Sequence, residues 1–183
     1  KGTIWIDSLQ FEEREPASQY RRTAKVRASS SLPGHPPERA LDDEPKIGWK
    51  SAPGENQWLI VDFVRQRDYG GLRIDWDPDD YATGFRVEVS DDAVKWSLAY
   101  EMRSGKGGRD YVYMPEAESR YLRLVFEKSS RGQGYGILGI VVQPIEFSDT
   151  PNQFVQAIAA ESPLGTFPKY FSGKQTYWTV VGV

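Results

Sequence analysis

The stretch Gln57–Trp76, QWLIVDFVRQRDYGGLRIDW, constrains the fold more than any other part of the sequence. Its first half is apolar on both faces of an extended chain, which is typical of a strand that is buried on both sides. Tyr69-Gly70-Gly71 predicts a turn, because glycine adopts backbone conformations that other residues avoid. Leu72, Ile74 and Trp76 then share one face of a second strand. We therefore expect two adjacent strands in the middle of a sheet.

The composition argues against several classes of function. The chain of 183 residues has a net charge of −3, whereas nucleic-acid-binding domains usually carry a basic face. No apolar run is long enough to span a bilayer, and no N-terminal stretch has the pattern of a signal peptide. There is no cysteine and one histidine, which argues against disulfides, multi-histidine zinc sites and histidine-assisted serine catalysis. The 6 Trp and 10 Tyr are more than a core of this size needs, so some rings are expected at a recognition surface.

Further alternating segments extend the β pattern on both sides of this pair. They are residues 24–31, 85–89, a returning strand from Trp96, and residues 109–114, 121–126 and 137–147. Turn residues recur about every eight to twelve positions, which predicts an antiparallel all-β sandwich of about eight strands. Helix signals appear only at the end, where Thr150 can act as a cap and Pro151 suits the first helical position. The apolar stripe of this helix would consist of Phe154, Val155, Ile158 and Ala159.

Six fragments occur in an order and at a spacing that carry a family resemblance. They are Ala28–Ser31, Ala40–Asp42, Trp49–Ser51, Gln57–Phe63, Phe85–Asp92 with Trp96, and Arg120–Leu124. Together they resemble the discoidin domain, also called the coagulation-factor type C domain, whose bacterial members include galactose-binding-like carbohydrate-binding modules. The resemblance covers about residues 24–147. It implies an eight-stranded antiparallel jelly-roll sandwich, with ligands bound by loops at one end and the ends of the module at the other.

The resemblance also sets the expected organisation of the chain. Residues 1–23 would hold the end strand of a preceding domain plus a linker, residues 24–147 the discoidin-like domain, and residues 148–183 the helix and the start of a following domain. We expect a non-catalytic carbohydrate-binding module of a larger bacterial, glycan-degrading protein that is extracellular, periplasmic or on the cell surface. Two alternatives stay open: a structural spacer without a ligand of its own, and a domain that binds a protein or membrane surface.

Catalysis and nucleotide binding fit the sequence poorly. Glycoside hydrolysis needs a carboxyl group that is shielded enough to raise its pKa. The clustered acids Asp75, Asp77, Asp79 and Asp80 surround a proline and indicate an open loop. The glycine-rich segment Arg103–Gly108 lacks the Gly-Lys-Ser/Thr ending of a phosphate-binding loop.

Candidate ligand residues lie on the loops that the resemblance puts at the ligand end, residues 32–39, 76–83, 103–110 and 129–135. Sugars are bound by aromatic faces and by planar or charged side chains that make paired hydrogen bonds. The candidates are His35, Trp76, Asp79, Tyr81, Arg109, Arg131 and Tyr135, with Asp80 as a further acceptor. Trp76 could instead belong to the core. The resemblance assigns Trp49, Trp58 and Trp96 to packing.

Many members of the family hold a structural calcium ion, which implies a site at Asp42 and Asp43. The sequence departs from the family pattern at three positions. Asp43 stands where a glycine is usual, Ile47 where a threonine is usual, and Gly139 where a late glutamate would fall. Calcium takes six to eight oxygen ligands, so the alternative to a calcium site is a solvated acidic loop.

Overall fold

A computed structural model describes residues 23–42 and 47–161 of the chain. The strands are β1 (Lys25–Ala28), β2 (Trp49–Lys50), β3 (Gln57–Trp76), β4 (Ala82–Ser90), β5 (Ser97–Met102), β6 (Arg109–Ser129) and β7 (Gly136–Gln143). A helix, α1, spans Pro151–Glu161, and 3₁₀ turns span Pro37–Leu41 and Ile145–Phe147. The strands form one antiparallel sheet in the order β2-β7-β3-β6-β4-β5, with β1 paired to β3. The predicted antiparallel all-β class with a short C-terminal helix is confirmed.

Two long strands build the sandwich because each of them runs through both layers. The first half of β3 pairs with the second half of β6, from Gln57 opposite Phe126 onwards. The second half of β3 pairs with the first half of β6, where Asp75 lies opposite Arg109. Strands β1, β4 and β5 complete the first layer, and β2 and β7 complete the second. The rings of Trp76 and Phe85 meet across the core with centroids 5.3 Å apart.

The prediction of two strands joined by a turn at Tyr69-Gly70-Gly71 is wrong. Strand β3 continues through these residues, with shifts of register against β6 between Asp62 and Arg67 and between Tyr69 and Gly71. Residues 109–114 and 121–126 likewise belong to the single strand β6. Together with the short β2, which the sequence pattern does not predict, this gives seven strands in place of eight. The physical reason is that an irregularity bends a strand from one layer into the other without ending its pairing.

Gly70 and Gly71 are required at this bend because the chain passes very close to other backbone. A Cβ atom on Gly71 would lie 2.1 Å from the carbonyl oxygen of Val112, and one on Gly70 would lie 2.4 Å from that of Pro144. Only glycine permits such an approach. The two glycines therefore allow the strand to cross over closely packed backbone, whereas the sequence pattern predicted a chain reversal.

Alternating side chains of the strands fill the space between the layers. In β3 and β6, Leu59, Val61, Leu122, Leu124 and Phe126 are completely buried. Of the tryptophans assigned to packing, Trp49 is fully buried, while Trp58 and Trp96 are half-buried. The ring of Trp96 lies under the guanidinium of Arg123 at 4.0 Å, so it packs on the outer face of the first layer.

The helix packs against the outer face of the second layer. Its N-terminus is capped as predicted, since the amide of Gln153 donates to the Thr150 hydroxyl at 3.2 Å. Val155 is partly buried and Ala159 is exposed. The apolar side of the helix forms a second small core with the sheet, made of Tyr111, Phe147, Phe154 and Ile158. The helix is thus in contact with the β-domain over its full predicted stripe except for its last residue.

The flanking segments 1–22 and 162–183 lie outside the described residues, so the predicted domain boundaries stay predictions. Within residues 23–42 and 47–161, no helix has the length and hydropathy that a membrane span requires.

Trp76 lies in the core, the second of the two roles considered for it. Its side chain is 2% exposed, and its indole N–H donates to a carboxylate oxygen of Asp110 at 2.8 Å. Burial raises the pKa of Asp110 from 3.8 to about 6, and the hydrogen bond from Trp76 offsets only part of this. The sandwich therefore holds a carboxyl group that is costly to ionise.

We predict that Gly70→Ala destabilises the domain by about 2–3 kcal/mol, because the new methyl group collides with backbone that cannot move away. Gly139→Ala on β7 is the matched control, because its Cβ would meet only ordinary contacts at 3.7 and 4.0 Å. We expect this control to stay within about 0.5 kcal/mol of the parent. Urea denaturation of the three proteins measures the difference. Equal midpoints for the two variants would show that β3 does not pass through the bend as described.

We predict that Asp110→Asn stabilises the domain at neutral pH. The folded pKa is raised, so the stability that Asp110 contributes is complete below its unfolded pKa and is lost as the pH rises through about 6. Asparagine keeps an acceptor for Trp76 and carries no charge. The variant should gain about 1–3 kcal/mol over the parent at about pH 7.5, and the gain should vanish at about pH 4. Denaturation at the two pH values checks this, and a gain that does not depend on pH would contradict it.

Candidate functional site

Five connections between the described strands lie at the same end of the sandwich and contact one another there. These loops comprise residues 29–42 with 47–48, 51–56, 77–81, 103–108 and 130–135. Backbone hydrogen bonds join them: the amide of Leu32 donates to the carbonyl of Lys50 at 2.8 Å, and that of Ser51 donates to the carbonyl of Tyr135 at 2.8 Å. The amide of Trp76 donates to the carbonyl of Gly108 at 2.8 Å. The four predicted ligand loops are therefore neighbours.

Four charged side chains form the loop-end cluster: Lys50, Asp77, Asp80 and Arg131. The Lys50 ammonium lies 2.8 Å from Asp77 Oδ2 and 3.6 Å from Asp80 Oδ2. On the other side of Asp80, Arg131 donates from Nε and Nη2 to Oδ1 at 3.1 and 2.7 Å. The cluster links strand β2 with two loops and balances two positive charges with two negative ones.

Asp77 is the most buried member of the loop-end cluster, with 7% of the residue exposed. Its Oδ1 accepts the amides of Asp79 and Asp80 at 3.0 Å each, so it folds its own loop into a compact turn. Its amide donates to the carbonyl of Gly136 at 2.9 Å. A Cβ on Gly136 would lie 2.6 Å from that of Asp77, so glycine allows the two loops to touch.

The contacts in the loop-end cluster favour the charged forms of Asp77, Lys50 and Arg131. Burial opposes the charge on Asp77, but the Lys50 ammonium and the two loop amides outweigh it and hold the pKa of Asp77 below its ordinary value. The hydrogen bond to Asp77 raises the pKa of Lys50, and the hydrogen bonds to Asp80 raise the pKa of Arg131. The cluster therefore has a fixed charge pattern at neutral pH.

Asp79 and Tyr81 lie beside the loop-end cluster on its solvent side. Ser130 joins them, since its hydroxyl donates to the carbonyl of Asp79 at 2.6 Å and accepts the amide of Tyr81 at 3.2 Å. Asp79 is exposed, and Tyr81 is half-buried. The backbone of Gly107 packs closely against the Tyr81 ring. A Cβ atom on Gly107 would lie only 2.7 Å from ring atoms. These loops thus present an exposed carboxylate on an anchored backbone and part of an aromatic ring.

His35 is half-buried on the adjoining loop. Its Nδ1 lies 2.9 Å from the carbonyl oxygen of Gly48, which can only accept, so Nδ1 carries the proton in this contact. The backbone hydrogen bond between Leu32 and Lys50 connects this loop to the cluster.

The structure does not bring every predicted residue to this place. Tyr135 is 1% exposed, and its ring stacks on Phe126 with centroids 5.0 Å apart. Like Trp76, it has no face left for a sugar, which corrects the expectation of an exposed ring. The flanking glycines were interpreted as an open loop, but they let the backbone close onto Ser51 and Asp77, which turns the ring inward. Arg109 donates to Asp75 Oδ1 at 2.6 Å and forms no contact with the loop-end cluster.

The calcium site predicted at Asp42 and Asp43 stays a prediction, because the structure describes only the first of these two residues. Asp42 is exposed, and Asp43 lies outside the described residues. Across the described ranges, no three His, Cys, Asp or Glu side chains group closely enough to hold a metal ion. The carboxylate opposite Gly139 is that of Asp75, and it is already engaged by Arg109 and Arg73.

Sequence reasoning missed Lys50 and Asp77 as members of the site. A signal for Asp77 was present, since Asp77-Pro78-Asp79-Asp80 is typical of a turn in which the first side chain accepts later amides. Lys50 gives no comparable signal, because its contact with Asp77 depends on how two distant loops approach each other.

Comparisons with known proteins agree with this architecture. Residues 25–140 match the F5/8 type C domain. Chitosan-binding module 2 of a chitosanase/glucanase from Paenibacillus sp. IK-5, solved with chitotriose, is 23% identical with a TM-score of 0.62, over 65% of this chain and 95% of that chain. Module 1 of the same enzyme is 25% identical with a TM-score of 0.61, over 64% and 92%.

A third solved structure is the family 32 carbohydrate-binding module of Clostridium perfringens NanJ, in complex with galactose. It is 14% identical with a TM-score of 0.61, over 67% of this chain and 94% of that chain. The comparison with curated protein sequences finds no match. All three solved structures are binding modules, which agrees with the prediction that this chain is not an enzyme. Because the family match covers more than half of the sequence, the chain belongs to the F5/8 type C, or discoidin, domain family.

Proposed function

We propose that this domain is a non-catalytic carbohydrate-binding module whose sugar site is the loop end. The observation that carries the proposal is the loop-end cluster, with Asp79 and Tyr81 beside it on loops that a single set of hydrogen bonds holds in place. Two of the solved neighbours bind chitotriose and galactose, and they share the fold of this chain. The proposal rests on the combination of this fold with polar groups that are ordered before a ligand arrives.

The chemistry of the loop end suits a polyhydroxylated ligand. Asp80 fixes one edge of the Arg131 guanidinium, and 52% of the Arg131 side chain is exposed, so the remaining N–H groups are free to meet hydroxyl oxygens. Asp79 offers the complementary acceptor for hydroxyl or amino protons. The exposed part of the Tyr81 ring supplies an apolar contact for the C–H groups of a sugar. Because Asp80 holds the Arg131 guanidinium and hydrogen bonds anchor the backbone of Asp79, binding costs less ordering entropy.

The charge of the loop end favours an amino sugar over an acidic one. Lys50 and Arg131 are neutralised by Asp77 and Asp80. Asp79 is exposed and forms no ion pair within the described residues, so it leaves a net negative charge facing solvent. A carboxylate attracts the ammonium group of a glucosamine unit and repels a uronate. Chitosan oligomers, which the Paenibacillus modules bind, are therefore the preferred ligand class.

We further propose that the parent protein is bacterial, degrades glycans and acts outside the cytoplasm. The domain would tether it to polysaccharide and raise the local concentration of substrate. The support is that the Paenibacillus modules come from a chitosanase/glucanase.

A structural spacer is the second candidate, and one observation favours it. The apolar side of α1 packs on the sandwich, as expected for a domain that holds its neighbours in a fixed relation. The two candidates differ in one measurable property, because a spacer binds no sugar.

We predict saturable binding of chitotriose in calorimetry, with weaker binding of galactose and none of uronate oligomers. Asp79→Asn should weaken chitotriose binding about 5- to 10-fold, the value of one charge-assisted hydrogen bond. Tyr81→Ala should weaken it about 10-fold through loss of the ring contact. Asp149→Asn is the control, because it removes one exposed carboxylate near the start of α1, at the opposite end of the sandwich.

If no sugar saturates the domain, the proposal is wrong, and the spacer and the surface-binding domain remain as alternatives. If sugars bind but Asp79→Asn and Asp149→Asn behave alike, the site is not at the loop end.

A further inference from the structure

A second charged network lies on the outer face of the second layer, at the position where the family places part of its calcium site. The resemblance puts a glutamate at position 139, and this chain has Gly139 there. Gly139 pairs with Asp75 across β7 and β3. A side chain at position 139 would begin 3.7 Å from the carbonyl oxygen of Asp42 and 4.0 Å from Asp75 Oδ2. Among residues 23–42 and 47–161, Asp75 is thus the carboxylate that lies closest to this position.

Asp75 is held by two guanidinium groups. Arg109 Nε donates to Asp75 Oδ1 at 2.6 Å, and Arg73 Nε lies 3.2 Å from Oδ2 in an ion pair. The three side chains are between 21% and 30% exposed, so solvent screens their charges only in part. Each oxygen of the carboxylate therefore has a cationic partner from the chain itself.

Such an arrangement is poorly suited to calcium. A calcium ion needs oxygen ligands that carry negative charge, and the nearest carboxylate that the structure describes is already neutralised by two arginines. The two guanidinium groups would also repel a divalent cation at this distance. We propose that Arg109 and Arg73, bound to Asp75, supply the positive charge that calcium supplies in other members of the family, so that this domain folds and holds its loop end without the metal.

The same network connects the sheet to the C-terminal helix. Glu161, the last residue of α1, lies 3.5 Å from Arg73 Nη1 and accepts a hydrogen bond from the Tyr111 hydroxyl at 3.2 Å. Tyr111 also belongs to the small core under the helix. The arginines thus join β3, β6 and α1, which a calcium ion bound between Asp42 and position 139 would not do.

Thermal unfolding with and without calcium tests the proposal on the intact chain. The midpoint of the parent protein should be the same, within about 1 °C, in millimolar calcium chloride and in excess EDTA, because a ligand that binds only the folded state raises the midpoint. Arg109→Gln should lower it by about 3–6 °C in both buffers. Asp75→Asn should lower it similarly, because both arginines lose their counter-charge.

Arg103→Gln is the matched control. Arg103 pairs with Glu101 at 2.8 Å, but its side chain is 82% exposed, so its loss should leave the midpoint unchanged. A midpoint of the parent protein that rises with calcium would overturn the proposal. So would an Arg109→Gln variant that is as stable as Arg103→Gln, since the arginine would then replace nothing.

Discussion

The buried carboxylate of Asp77 is the contact on which the loop end depends. The carboxylate accepts two backbone amides of its own loop and pairs with the ammonium of Lys50. The backbone amide of the same residue donates to the carbonyl of Gly136. Removing this carboxylate would leave Lys50 without its closest partner and the loop amides without an acceptor. The positions of Asp80 and Arg131 follow from that turn. The electrostatics of a surface site are thus organised by one residue that a ligand would hardly reach.

The core was predictable because alternation along β-strands reports burial directly. Leu59, Val61 and Phe63 of β3 lie inside as their spacing indicates. The bend at Gly70-Gly71 was not predictable, since a glycine pair looks the same in a turn and where two stretches of backbone approach closely. The deciding contacts, Val112 and Pro144, lie far away in the sequence. The alternation of apolar residues therefore predicts which residues form the layers. The path of β3 from one layer to the other depends on contacts between residues that are distant in the sequence.

The residues of the candidate site also fall into those that local sequence predicts and those that depend on distant contacts. Asp79, Tyr81 and Arg131 were predictable from turn residues on loops of known order in the family, and they lie together. Tyr135 was misplaced because its glycine neighbours look like those of a mobile loop. Arg109 was misplaced because its partner, Asp75, comes from another strand. A charged side chain is placed by its counter-ion, and sequence order alone does not identify that counter-ion.

Sugar binding at the loop end is the central claim, and chemical-shift mapping of the isotope-labelled domain tests it most directly. Titration with chitotriose should shift the amide signals of residues 77, 79–81 and 130–131, which lie on the loops that the loop-end cluster holds together. The signals of the opposite end, including residues 91–95 and 115–119, should stay in place. Saturable shifts confined to that opposite end, or no shifts with any sugar, would contradict the account.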